Sequence, residues 1–516
     1  MVKRYYGTGK ISNELGIGEN MVIQNFLFPD EVCDVPELYF RTTGIVTNII
    51  KGIKLSAGEM FQTDTYINAM NIGHWKKYTV IEEVSLELEV QGDFQLVVEL
   101  LEKGKRKKLV YEHEYYIEKQ EIISVPIPKE IEQGILYWKI CAKSDVQYYG
   151  ARYVTSDLKK KSDVRLALNI CTYHRQQQLQ KNLQKISDSL FFRPQTDFYG
   201  KMQIFVIDNG QDYVSPIHNE YLKVFKNPNT GGGTGGFTRG LEEIKKEQKR
   251  QHYTHVIFMD DDVEFQMESF YRLYAFLSLL KREYEDNPIA GRMFRLDNRN
   301  IQYTAVEQWN KGNIVHVGGN LNMCRQESLL EENSTGDYGG WWFCTYPIQC
   351  ILQGRPFPFF IHCDDVEFGL RQRKETLTLP GVQVWHETYE YRMNPIIIYY
   401  DIRNTLVVNA LRGNPEDSDM FIKEWKTRLT EFHNGERQDL KYLCTLAMWH
   451  FCSRKIFRKY QGRIPCQCVW LSKKKTILKF VTPVFHRITE SRVTKQYLHI
   501  VKKYKEDYKR NYGSTS

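Results

Sequence analysis

The stretch Val256–Phe265, VIFMDDDVEF, ends a run of apolar residues on three consecutive aspartates. Two like unit charges ~4 Å apart repel by about 1 kcal/mol in water and by several times that beside a low-dielectric wall, so the run needs compensation. On an extended strand end, residues i and i+2 point the same way. Asp260 and Asp262 can therefore face one ligand while Asp261 faces elsewhere. Two convergent carboxylates suit a hard divalent cation, Mg²⁺ or Mn²⁺, which keeps waters and also binds phosphate oxygens. The competing reading is a solvated acidic turn, and the position directly after the apolar strand VIFM favours the metal.

Three further stretches carry chemistry. PFPFFIHCDDVEFGLRQR (356–373) sets Asp364, Asp365 and Glu367 between an apolar run and a helix. A carboxylate held there is either a general base or part of an acidic N-terminal helical turn. LPGVQVWHE (379–387) ends a short strand on His386, which is a core histidine or a third ligand for the same cation. YGGWWFCTYP (338–347) offers Trp341 and Trp342, whose faces can stack on a sugar or pack in a core.

NPNTGGGTGGFTRG (227–240) formally contains GxGxxG, so a dinucleotide-binding dehydrogenase has to be weighed. Its place, after two earlier strand–helix units and behind Asn-Pro-Asn, argues against that. A glycine run that lets the backbone approach a nucleotide sugar, with a helix from about Phe237, fits better, and a plain surface loop competes.

The elements that must position these residues divide the chain in three. Over 1–160, VSLELEV and FQLVVEL alternate with the period of half-buried strands and predict an all-β sandwich or barrel. Over 161–405, DVRLALNIC, KMQIFVID and THVIFMD alternate with helical stretches, the pattern of an α/β domain with a mostly parallel sheet. Ligands bind at the carboxyl ends of such strands, which singles out TYHR (172–175), DNG (208–210) and DDD (260–262). Over 406–516 the pattern is helical and basic.

With 516 residues and 42% hydrophobic content the chain supports several real cores. Eleven scattered cysteines without CxxC spacing fit a reducing compartment and argue against zinc. No apolar leader and no window of ~20 apolar residues is present, so a cytoplasmic, soluble protein is expected. The net charge of +8 is concentrated at the end: residues 451–516 hold 17 Lys/Arg against 3 Asp/Glu. Interleaved with them are Trp470, Ile477, Leu478, Phe480, Val481 and Phe485, which predicts a peripheral anionic-membrane surface over 451–510. No nucleic-acid partner is expected.

In this order the stretches resemble the inverting family 2 glycosyltransferases of GT-A fold, and more narrowly the bacterial galactofuranosyltransferases that build cell-wall galactan. DTYINAMNIGHWKKYT (64–79) is similar to a segment of that family's N-terminal β domain, and YYDIRNTLVVNAL closes the ordered set. The resemblance implies that Thr172, Arg175, Asp208 and Asn229 contact the donor nucleotide. It makes Asp260, Asp262 and His386 the ligands of Mn²⁺ or Mg²⁺ and Asp365 the base. Asp364 stands beside the substrate, and Trp341 and Trp342 line the acceptor site. Transfer from UDP-galactofuranose to a lipid-linked glycan on the cytoplasmic face of the membrane is the activity so implied. Cys363 stands where a tryptophan is expected, and UDP-glucose or dTDP-rhamnose remain alternative donors. A carbohydrate-binding scaffold is the non-enzymatic alternative, and a homo-oligomer is left open.

Overall fold

The alternation in VSLELEV and FQLVVEL becomes one 18-residue strand, Val84–Leu101, in the computed structural model. The structure describes residues 20–512 apart from 45–51, 159–160, 311, 332–334, 393, 414–417, 435–436, 455–456 and 458–461. Leu86, Leu88, Phe94, Leu96 and Val98 of that strand are fully buried. Its first half pairs with Val146–Thr155 and its second half with Ile135–Ala142, while Lys108–Ile127 runs antiparallel along the other edge. The switch of partners falls at Gly92, with φ +117° and the site of a Cβ only 2.5 Å from the Asp145 carbonyl oxygen, so a side chain is excluded. The described strands of this region form one eight-stranded antiparallel sheet.

The second sheet positions the chemistry. Leu222–Lys226, Met202–Asp208, Leu166–Thr172 and His255–Asp260 lie side by side and parallel. Phe343–Pro347 and Ile289–Arg295 follow antiparallel to their neighbours, and Thr376–His386 pairs parallel to Ile289–Arg295. Every residue of Met202–Asp208 is buried, as a continuous apolar run covered on both faces should be. Gln176–Ser187 covers one face through Leu179, Leu183 and Ile186, the i, i+4, i+7 stripe of an amphipathic helix.

The β region is joined to the α/β region by buried charge. Arg272 and Glu268, both on Glu268–Ser278, are almost wholly enclosed. Asn25 donates its N–H (2.7 Å) and its amide (2.9 Å) to Glu268, and Arg272 donates to the carbonyls of Ile67 and Pro380, each at 3.3 Å. A buried pair with its donors and acceptors so engaged specifies one relative placement of the two regions.

Four long helices, Pro395–Arg412, Ser418–Asn434, Gln438–Ser453 and Lys475–Tyr512, build the C-terminal part. The first crosses the division expected at 405/406. Their core, with Val407, Leu443, Met448, Phe451, Val493, Ile500 and Tyr504, also takes in Phe359, Cys363 and Val366 from the stretch before and within the DDVE helix. The basic tail is therefore a structural member of the fold. Of its apolar residues, Leu478 is buried and Phe485 packs on Trp449 with ring centroids 5.5 Å apart, which corrects the expectation that they face outward. Ile477 and Val481 do face outward; the side chains of Trp470 and Phe480 lie outside the described residues. Among the described residues, no helix is long and apolar enough to cross a membrane.

Candidate active site

Thr172, Asp208, Asp260 and His386 all sit at the carboxyl edge of the second sheet, because each is the last residue of its strand and the four strands run in the same direction. Apolar burial sets the strands, and the first polar residue after each run emerges at that edge. His386 Nε2 lies 3.0 Å from Asp262 Oδ1 and 3.6 Å from Asp260 Oδ2, although 124 residues separate His386 from Asp262. One ligand atom from each of the three falls within 4.8 Å of the others. Two carboxylates and an imidazole on one small volume are a donor set that fits a hard to borderline divalent cation.

The strand stops at Asp260, and Asp261, 4% exposed, lies in the turn that follows. Thr172 Oγ1 donates to it at 2.6 Å, and Arg175 Nη1 donates to Asp261 at 3.1 Å and to Asp262 at 2.5 Å. Arg175 thus supplies much of the compensation that the triple aspartate requires, a term the sequence reading assigned wholly to metal. Burial raises the Asp261 carboxyl above its usual range, with the hydrogen bond from Thr172 opposing. Arg175 also lines an open cavity of about 520 Å³ with His174, Gln176, Gln177, Gln178 and Asp262.

Residues that sequence reasoning passed over hold this corner together. Asn182 donates its amide to the carbonyls of Asp261 (3.1 Å) and Val263 (2.9 Å), fixing the turn after the strand. Glu264 and Trp385 exchange backbone hydrogen bonds at 2.8 Å, tying the segment after Asp262 to the residue before His386. Arg299 braces both, donating to Glu264 at 2.8 Å and accepting at its carbonyl from Trp385 Nε1 at 3.0 Å. An amide in mid-helix and an arginine in a loop carry no pattern that would have singled them out.

The second acidic stretch forms the helix Asp364–Gln372. Phe360, His362 and Cys363 before it all have positive φ, between 67° and 78°, a conformation that non-glycine residues adopt at a cost of order 1–3 kcal/mol. The loop is held there by Asn404, whose amide donates to the carbonyls of Ile361 (2.8 Å) and His362 (2.7 Å). Asp364 accepts from Thr234 of the glycine run at 2.8 Å. Burial, with the neighbouring Asp364 carboxylate adding to it, pushes the Asp365 carboxyl up to about 7, and His362 opposes. His362 stacks on Tyr389 at 5.0 Å and bonds Asp401 at 3.0 Å. Burial works against a charge on this imidazole, but Cys363 and the hydrogen bond to the Asp401 carboxylate together outweigh it and hold it above its ordinary range.

Other expected positions serve differently. The Asp208 carboxylate is buried and accepts from the N–H groups of Gly210 (3.0 Å), Gln211 (2.9 Å) and Tyr213 (2.8 Å), so it shapes the DNG loop. Asn229 is half-buried and accepts from Asn209 at 3.4 Å. The helix after the glycine run starts at Gly232, five residues earlier than expected. Gly236 and Gly240 sit where a Cβ would meet Cys171 Sγ at 2.2 Å and Asn169 Oδ1 at 1.9 Å; they let this helix lie close on the sheet, which accounts for these glycines without a dinucleotide. Trp341 is buried and stacked on Phe258 at 4.3 Å, so it faces the core; of the two tryptophans only Trp342 is half-exposed.

A mostly parallel α/β core with a carboxylate–imidazole cluster at its carboxyl edge and a half-buried aspartate pair beside the glycine-started helix is the arrangement of a nucleotide-sugar transferase domain of the GT-A type. Residues 168–328 match the glycosyl transferase family 2 model, and the chain carries such a domain. Residues 23–156 match a narrower one, galactofuranosyltransferase 2 N-terminal. The galactofuranosyltransferase GlfT2 of Mycobacterium tuberculosis (strain ATCC 25618 / H37Rv) is 25% identical over 426 residues, 74% of this chain and 64% of that protein. GlfT2 of Mycolicibacterium smegmatis (strain ATCC 700084 / mc(2)155) is 28% identical over 230 residues, 40% of this chain and 34% of that protein. Both matches span less than two thirds of the relative's length. Among solved structures, the endo-1,4-beta-D-xylanase 10B modules of Clostridium thermocellum match 36% of this chain and 38% of that chain with 9% identity and a TM-score of 0.19, too slight a likeness to bear on the fold.

Proposed function

We propose that the chain is a metal-dependent inverting glycosyltransferase that moves galactofuranose from UDP-galactofuranose to a hydroxyl of a lipid-linked glycan. The convergence of Asp260, Asp262 and His386 beside the Arg175 cavity carries the reading. These three side chains would hold Mn²⁺ or Mg²⁺, which when bound neutralises charge on the donor diphosphate. Arg175, nearly half exposed, reaches the nucleotide from the same edge. Asp365 takes the proton of the attacking hydroxyl, since a carboxyl near neutrality both ionises at working pH and holds a proton well. One displacement on the face opposite the leaving nucleotide inverts the anomeric centre, as the base of an inverting glycosidase directs its water. Trp342 is the aromatic surface for the acceptor. The donor is tested by incubating the chain and Mn²⁺ with a panel of nucleotide sugars and a hydroxyl acceptor, read by mass spectrometry. UDP-galactofuranose gives the largest signal, and a clear preference for UDP-glucose or dTDP-rhamnose overturns the galactofuranose assignment.

The acceptor's lipid linkage is supported by the long C-terminal helix. Ile477, Val481, Val484 and Ile488 follow i, i+4, i+7, i+11 and are each between 40% and 61% exposed, while Lys473, Lys474 and Arg487 stand exposed around them. An apolar stripe flanked by cations suits an anionic bilayer surface, where each Lys or Arg contributes about 1 kcal/mol. Removing the tail would remove part of the bundle's core, so the decisive variant replaces all four stripe residues by serine. Wild type should sediment with anionic vesicles, not with neutral ones, and release as salt rises. The variant should stay in the supernatant; equal partitioning of the two proteins removes the membrane claim.

A further inference from the structure

Glu367, one turn along the helix from Asp364, is fully buried with both carboxylate oxygens engaged. Oε1 accepts from Arg412 Nη2 (2.6 Å) and from Tyr508 OH (2.7 Å), and Oε2 accepts from Arg371. Burial would raise this carboxyl, but the guanidiniums of Arg371 and Arg412 outweigh it and hold the group below its ordinary range. Arg371 is on the same helix, Arg412 ends the helix that grips the loop before it, and Tyr508 lies 141 residues away in the last turns of the C-terminal helix.

Tyr508 does more than donate one hydrogen bond. Its hydroxyl also accepts from Arg412 Nη2 at 2.6 Å. Its ring lies 4.8 Å from the Arg412 guanidinium and 5.3 Å from that of Arg371, and Phe357 stacks on it at 6.1 Å. Two cations converging on one buried carboxylate leave an excess positive charge, and the electron-rich ring face offsets it. Asn404 holds the strained loop and Thr234 the first turn, so this cluster is a third, independent hold on the helix that carries Asp364 and Asp365.

We propose that Tyr508 is a positioning residue: through Glu367 and Arg412, the end of the C-terminal helix fixes the rotation and depth of the helix bearing Asp365. The catalytic consequence rests on the assignment of Asp365 as base, while the mechanical consequence does not. A shift of about 1 Å in a reacting group costs up to about 10²-fold in rate, so the hold matters to chemistry as well as to stability.

The test uses the full-length chain with Tyr508→Phe, which keeps the ring and its packing, and Tyr508→Ala, which removes both. Hydrogen exchange of amides 364–372 is read against the strand 255–260, with Mn²⁺-dependent UDP binding by calorimetry and kcat and KM for transfer well below the unfolding midpoint. Exchange across 364–372 should quicken about tenfold in the alanine variant and less in the phenylalanine variant, with 255–260 unchanged. UDP binding should stay within about twofold while kcat falls about tenfold. Unchanged protection of 364–372 in both variants overturns the proposal, as does a lowered unfolding midpoint with kcat intact, which leaves Tyr508 a purely structural residue. If the alanine variant does not fold, the phenylalanine variant decides alone by the same readings. Near-normal transfer by Asp365→Asn would strike the base assignment alone, since the exchange result does not depend on it.

Discussion

Asp262→Ala should abolish transfer, with a loss on the order of 10³-fold or more, and Asp260→Ala and His386→Ala should follow it closely. The three side chains offer their ligand atoms within one 4.8 Å cluster, so removing any one leaves too few donors to retain a divalent cation against water. Several kcal/mol of charge stabilisation at the leaving diphosphate go with it, and each 1.36 kcal/mol is tenfold in rate. Calorimetry gives a reading that does not depend on turnover: Mn²⁺-dependent UDP binding should weaken sharply in all three variants. Asp261→Asn is the control. Its side chain faces Thr172 and Arg175, and an amide oxygen still accepts from Thr172, so metal affinity should stay within a few-fold of wild type. Equal losses across Asp260, Asp261 and Asp262 would remove the alternating-face argument on which the cluster was read.

The edge of the sheet at which Asp261 and Asp262 lie was legible because the apolar run VIFM ends there, but the strand stops at Asp260, so strand geometry does not decide which way the two face. Arg175 as their counterion was not legible. TYHR reads as a loop after a strand, and nothing in it says that the guanidinium bridges two aspartates 86 and 87 residues on. The glycine run shows the same limit from another side. Composition could not separate a ligand cradle from close helix–sheet packing, and the neighbours at Gly236 and Gly240 decide for packing there. Trp341 and Trp342 have identical side chains in adjacent positions, and only the fold turns one inward. Leu478 and Phe485 of the tail turn inward for a related reason: alternating apolar and basic residues fit a solvated amphipathic helix and a helix packed along one side equally well. Which side packs depends on partners as distant in sequence as Glu367, and no local pattern records them.

Asp365→Asn should keep Mn²⁺-dependent UDP binding and lose transfer by ~10²-fold or more, because an amide cannot take the acceptor proton. The pH dependence sharpens this. Burial, together with the Asp364 and Glu307 carboxylates that face it, lifts Asp365 to about 7, and His362 pulls the other way. A base must be ionised to act, so kcat/KM should fall about tenfold per pH unit below about 7 while UDP binding does not follow. The stability consequence has the opposite sense. A carboxyl whose folded-state value lies above its unfolded value of about 3.9 is ionised at a cost to the fold, and that cost grows as pH rises from about 4 to 7. Asparagine removes it, so the variant should unfold at a higher temperature than wild type, by a margin larger at pH 8 than at pH 5. Near-normal transfer by the variant would pass the role to Asp364, which is half-buried beside it and accepts from Thr234 at 2.8 Å. It would not pass to Glu367, whose two oxygens are committed to Arg371, Arg412 and Tyr508.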